Sequence, residues 1–253
     1  MDHFLASFQI LGTVQGWTYL LILTLLEIVL GIDNIIFISI VTDPLPRAKQ
    51  RKARMIGLSL ALIIRILMLS VISWVMTLDQ HPLFTIMGQS FTGHSLVLLI
   101  GGLFLIYKSV TEMHSSVKGS EEGHTSKEKS TLRGVIMQIV VIDFIFSFDS
   151  VISAVGMTND ISQQTHANPL IIIVLAVIVS MIVMLLFSRP ISDFINERPT
   201  IKMIALGFLV TIGILLIAES FGEHVPKGYI YFALVYSLVI EFLNIKMRKN
   251  KDE

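Results

Sequence analysis

Two short stretches set acids into an otherwise apolar background: Leu26–Ile35 (LEIVLGIDNI) and Ile142–Val151 (IDFIFSFDSV). In each, a carboxylate (Glu27, Asp143) is followed six positions on by an aspartate (Asp33, Asp149). A small residue (Gly31, Ser147) lies two before that aspartate and a short polar one (Asn34, Ser150) directly after it. The second block follows the first by 116 positions, and the register of four matched features marks an internal duplication. Carboxylate, amide and hydroxyl oxygens, without thiol or imidazole, form the ligand set of a hard divalent cation such as Mg²⁺, Ca²⁺ or Mn²⁺. In a membrane such acids are expensive, about 2.5–3.5 kcal/mol for a charged residue at a helix centre, so they persist where they face a cavity, pair, bind a cation or carry protons. The candidate metal ligands are therefore Glu27, Asp33, Asn34, Asp143, Asp149 and Ser150. A competing role is structural: Arg65, also within an apolar run, could pair with Asp33 or Asp149 and fasten helices. It would neutralise only one of them, and it has no counterpart in the second half.

The elements that must position these groups follow from composition. The chain has 253 residues, 53% hydrophobic and only 15% charged, with a mean hydropathy of +0.76; an ordinary soluble domain carries about 25% charged residues. Cysteine is absent, which excludes disulfides and thiolate metal sites. Lys+Arg and Asp+Glu both number 19, so no global basic field recruits nucleic acid. A hydrocarbon core needs about 20 apolar residues of helix. Phe4–Leu26, with its apolar pattern continuing to Thr42, and Pro169–Ser188 meet that length, and 55–78, 95–114, 133–157, 200–220 and 228–247 read as further spans. The expectation is an all-α, polytopic membrane protein with seven helices and the lipid bilayer as its surroundings.

Charge placement orients it. Basic residues concentrate in 43–54 (Arg47, Lys49, Arg51, Lys52, Arg54), 115–133 (Lys118, Lys127, Lys129, Arg133), the fifth-to-sixth link (Arg189, Arg198, Lys202) and the tail (Lys246, Arg248, Lys249, Lys251). The alternate connections hold Lys227 alone. The positive-inside rule then puts the N-terminus outside and the C-terminus in the cytoplasm. No basic n-region marks a cleavable signal peptide. The acidic blocks lie three spans apart and so cross the membrane in opposite directions. The chain reads as one transmembrane domain, 1–253: repeat one at about 14–114, a cytoplasmic loop at about 115–132, repeat two at about 133–220 and a seventh helix at about 228–247. Inverted 3+3 repeats of this kind build midplane sites in secondary transporters. Residues six apart on a helix point about 120° away from each other. Either several helices surround each acid, or the helix loosens near Gly31 and Ser147.

Secondary candidates for an ion pair or proton relay are Arg65, Lys108, Glu112, Glu219 and Glu241. Lys108 and Glu112 are spaced for an i,i+4 pair. Aligning Gly102 with Gly213 sets Glu219 opposite Lys108, and Glu241 sits deeper in the seventh span. Pro190 and Pro199 bracket an amphipathic piece (ISDFINERP) suited to the inner interface.

The blocks LEIVLGIDNIIFISIV and IDFIFSFDSVISAVG resemble the signature segments of TerC-family integral membrane proteins, in the wider LysE-like transporter superfamily, and the resemblance covers about residues 15–245. That family was named for tellurium resistance and is associated with manganese(II) efflux and with metal supply to exported proteins. The resemblance implies that Glu27, Asp33 and Asn34, with Asp143, Asp149 and Ser150, occupy the family's membrane acidic motifs, and it alone singles out Mn²⁺ among hard cations. The resulting expectation is a plasma-membrane exporter of Mn²⁺ working by alternating access with proton exchange. It has no cofactor besides the transported ion, and its partners are a divalent metal ion and protons. The alternatives are an exporter of a small organic cation such as a basic amino acid, and a non-transporting membrane factor assisting protein export or insertion. No nucleophile elbow, H-E-x-x-H or P-loop points to an enzyme.

Overall fold

The computed structural model describes residues 12–71, 82–86, 89–118, 131–165, 170–223 and 225–249; within these, the side chains of residues 82, 84, 86, 89, 90, 149, 152–165, 170 and 249 lie outside the described set. The chain divides into two compact units, residues 1–80 with 130–190, and residues 81–129 with 191–253. Neither unit coincides with a sequence repeat: each takes helices from both halves of the chain.

The first unit contains α1 (Val14–Leu30), α2 (Ile32–Thr42), α3 (Arg47–Ser70), α5 (Leu132–Thr165) and most of α6 (Leu170–Asn196). Thr13 caps α1 by accepting from the Gly16 N–H at 3.1 Å. The helix then breaks at Gly31, whose N–H is shared between the carbonyls of Glu27 (2.9 Å) and Ile28 (3.2 Å) before α2 resumes. A Cβ at Gly31 would collide with the Met184 thioether and lie 2.9 Å from the Glu27 carbonyl, so the break coincides with a close approach by α6 that only glycine permits. Every residue of α2 from Asp33 to Thr42 is buried. A helix buried all round is what a continuous apolar run encodes, in contrast to an amphipathic stripe. Beside it, α3 and α5 run in the same direction: Gly57 of α3 meets Ile139 of α5, and Arg65 meets Ser147, both pairs 82 positions apart.

The second unit holds β1 (Pro82–Ile86), β2 (Gln89–Thr92), α4 (Gly93–Lys118), α7 (Pro199–Ser220), α8 (Lys227–Lys249) and the end of α6. Helices α4 and α7 are antiparallel, joined by the Phe91–Phe221 edge contact (5.5 Å) at one end and by Glu112–Lys202 (3.6 Å) at the other. At their crossing, a Cβ on Gly102 would lie 2.6 Å from the Gly213 carbonyl and one on Gly213 would lie 2.9 Å from the Gly102 carbonyl. The flanking contacts are reciprocal too, Gly102 with Ile217 and Gly213 with Ile106. Small residues let membrane helix backbones approach this closely.

Among the described residues, six helical spans are long and apolar enough to cross a membrane: Val14–Thr42, Arg47–Ser70, Gly93–Lys118, Ile171–Asn196, Pro199–Ser220 and Lys227–Arg248. The remaining long helix, α5, carries the second acidic block. Helix α8 exposes Tyr229, Phe232, Val235, Tyr236 and Leu243, and Trp17 near the start of α1 is 61% exposed, as lipid-facing and interfacial positions require. Two expectations need correcting. The fold is nearly, not wholly, helical: β1 and β2 pair antiparallel, with Phe84 opposite Phe91 and Thr85 opposite Ser90, in a segment of Phe, Thr and Ile too short for its alternation to stand out. The ISDFINE piece is no separate interfacial segment, because α6 continues through Pro190 to Asn196 and buries Ser192 and Ile195. Phe194 there stacks on Phe242 (5.6 Å) and lies under the Arg198 guanidinium (4.7 Å).

Candidate functional site

The two blocks converge on one guanidinium. Arg65, on α3 and 2% exposed, pairs with Glu27 of α1 through Nη1 and with Asp143 of α5 through Nη2 at 3.3 Å. Its Nε donates to the Ser147 hydroxyl at 2.8 Å, and that hydroxyl donates onward to Asp143 Oδ2 at 3.0 Å. Asn34 of α2 donates its amide to Asp143 Oδ1 at 3.0 Å. Asp143 thus accepts from three side chains on three helices, while the Ser150 hydroxyl, close to Glu27, donates to the Ser147 carbonyl at 3.3 Å. Glu27, Asp33, Asn34, Asp143, Ser147 and Ser150 are all buried.

Local sequence explains the placement. Ser147 stands one helical turn after Asp143, which puts its hydroxyl on the same face as the carboxylate. Arg65 is eight residues beyond Gly57 on α3, and the Gly57–Ile139 contact sets the α3–α5 register that delivers the guanidinium to Asp143. The break at Gly31 separates the α1 segment bearing Glu27 from the α2 segment bearing Asp33 and Asn34, which relaxes the angular mismatch of an i,i+6 pair. In α5 the same spacing runs through an unbroken helix, so loosening occurs at Gly31 and not at Ser147. There, the neighbouring helices surround the acid instead.

Several predicted roles shift. Arg65, weighed as a structural partner for Asp33 or Asp149, bridges Glu27 and Asp143, because a planar guanidinium presents donors along several directions at once although its single charge still cancels only one acid. Of the predicted ligands, Glu27, Asn34, Asp143 and Ser150 are brought together around Arg65, Asp33 lies buried next to Asn34, and the Asp149 side chain lies outside the described residues. Among the described residues no three His, Asp or Glu side chains gather as a metal cage by themselves. Glu112 pairs across helices with Lys202 of α7 at 3.6 Å in place of Lys108, and Glu219, which aligns with Lys108 in the repeat, pairs with Lys227 at 4.0 Å. Glu241 accepts from Thr200 Oγ1 at 2.6 Å. Thr200 is in the first turn of α7, so this bond ties α8 to α7 near that helix end. Ser147 was read only as a small residue. Its hydroxyl, one turn from Asp143, was the available signal for a bonding role.

Comparison with known proteins agrees in kind. The family model described as integral membrane protein TerC family matches residues 13–253. A UPF0053 protein of Haemophilus influenzae is 46% identical over 243 residues, covering 96% of this chain and 98% of its own length. The UPF0053 inner membrane protein YgdQ of Escherichia coli (strain K12) is 48% identical over 237 residues, 93% of this chain and 95% of its own. The inner membrane protein YoaE of the same strain is 46% identical over 236 residues, but those make up only 43% of its length. No solved structure matches the chain.

Proposed function

The chain belongs to the TerC family of integral membrane proteins, and on that premise we propose that it is an inner-membrane transporter exporting a hard divalent cation, Mn²⁺ in the first place. One observation carries the reading. Glu27 and Asp143, matched positions in the two sequence blocks, meet at a single buried centre although 116 residues separate them. Asn34 reaches the same centre through its amide N–H on Asp143 and Ser150 stands beside Glu27; carboxylate, amide and hydroxyl groups of this kind are the donors a hard cation takes. Choosing Mn²⁺ rests on the family resemblance.

The inverted repeat is part of this proposal. The reciprocal Gly102/Gly213 and Ile106/Ile217 contacts support it, since a pseudo-twofold would generate that pairing. With the basic loops in the cytoplasm, cargo enters from inside, is held by the carboxylates and leaves outward as protons compete for the same oxygens. Inner-membrane placement draws on relatives bearing that name and on the apolar helices. Export is tested in cells lacking the protein, which should accumulate manganese and grow poorly in it. The wild-type chain should restore export, while Glu27→Gln and Asp143→Asn at equal expression should lose at least about tenfold, the scale on which one lost ligand or its supporting partner acts. Normal export by both variants would reject the site.

A second reading draws on a specific observation: both oxygens of Asp143 already accept from protein side chains, Arg65, Asn34 and Ser147, as they would in a membrane factor whose acids only hold helices together. Proteoliposome flux of Mn²⁺, with lysine as the organic-cation comparison, separates transporter from factor.

A further inference from the structure

Resting on the reading of a cation exporter, we propose that Arg65 is the built-in counter-ion of the site: its guanidinium stands between Glu27 and Asp143 when cargo is absent, and a divalent cation binds by displacing it. The geometry makes the two exclusive. A hard divalent cation takes six or more oxygens at about 2.0–2.6 Å. Glu27 Oε2 and Asp143 Oδ1, one oxygen of each carboxylate, are engaged by Nη1 and by Nη2, the latter at 3.3 Å, so a cation bridging those two oxygens must take the guanidinium's place. Arg65 is 2% exposed and its Nε is held by Ser147, so the guanidinium is fixed between the carboxylates in this arrangement.

Charge makes the arrangement useful. An empty pair of carboxylates deep in hydrocarbon is costly, and an exporter must return empty after every release. A guanidinium that re-enters as the metal leaves cancels one of the two negative charges and hydrogen-bonds both carboxylates, so the empty pair is never left wholly bare. It is never deprotonated in proteins, so it performs this at any pH. The position 116 residues beyond Arg65 is Met181, a buried apolar residue, so the duplicated scaffold carries one such cation serving both acids. A residue that merely glued each half would be expected twice.

Competition fixes the sign of the effect. Cargo affinity is reduced by the fraction of time the guanidinium stands aside, so deleting it tightens binding and slows release. Mn²⁺ binding by the purified full-length protein, followed by the loss of the free-ion paramagnetic resonance signal, and net Mn²⁺ efflux from proteoliposomes give the two readouts. Arg65→Gln should lower the apparent Kd roughly tenfold or more while lowering turnover at saturating Mn²⁺ by a similar factor. Arg65→Lys, a point charge without the planar fork, should fall between, with Kd down by roughly threefold. Glu27→Gln should move Kd the other way. A folded Arg65→Gln protein that binds Mn²⁺ no more tightly than wild type overturns the counter-ion role and leaves the exporter reading standing. Should Arg65→Gln fail to fold, an unchanged or higher Kd in Arg65→Lys overturns it equally. If wild-type protein binds no Mn²⁺, the exporter reading falls and this inference with it.

Discussion

At the scale of single residues, Arg65 and Asp143 are the most connected polar groups described, and their burial makes them sensitive to partial loss. Removing one member of a buried ion pair strands the other without water, which costs about 3–5 kcal/mol, far more than the pair contributes beyond an apolar substitute. Asp143→Ala should therefore lower stability by about that amount, read from the unfolding midpoint in detergent, since it leaves Arg65 only Glu27 and Ser147. Ser147→Ala is milder, about 1–3 kcal/mol, because it deletes the hydroxyl that receives from Arg65 Nε and gives to Asp143 Oδ2. A Ser147→Ala protein with wild-type stability would mean that water or a shifted side chain replaces the hydroxyl.

At the scale of elements, glycine placement sets what can approach what. The α4–α7 crossing brings two backbones together over Gly102 and Gly213, where an added methyl meets the facing carbonyl oxygen as well as an isoleucine side chain, Ile217 or Ile106. Gly102→Ala and Gly213→Ala should each cost about 1–3 kcal/mol, the range for overpacking. The double variant should cost less than the sum, because one widening of the crossing accommodates both methyls. Additive losses measured in the same unfolding assay would show that the two sites relax independently. The break at Gly31 is a second instance: α1 and α2 are one span by hydropathy, yet they meet at a glycine pressed against α6 and the Glu27 carbonyl.

At the scale of the whole molecule, the charge pattern predicts topology in a form that reporter fusions can read. Alkaline phosphatase fused after Glu223 should be active outside, and the same enzyme fused at the C-terminus should be silent, because basic connections are retained in the cytoplasm. Activity of the C-terminal fusion would reverse the orientation and with it the direction assigned to export. The two compact units also cut across the sequence repeats, which groups the acid-bearing helices with α3 and α6 in one unit and leaves α4, α7 and α8 to the other.

The sequence by itself determined the helices and marked the acids. Spans follow from the length of uncharged apolar runs, which depends on the bilayer and hardly at all on what each helix touches. The acidic blocks stood out because polar groups in such runs are rare enough for a repeat to be seen. Only tertiary structure decided the pairings. Whether Arg65 meets Glu27, Asp33, Asp143 or Asp149 depends on the α3–α5 register set at Gly57 and Ile139, and whether Glu112 finds Lys108 or Lys202 depends on the antiparallel lie of α4 and α7. Those are contacts between segments far apart in the chain, fixed by packing, and local spacing carries no record of them.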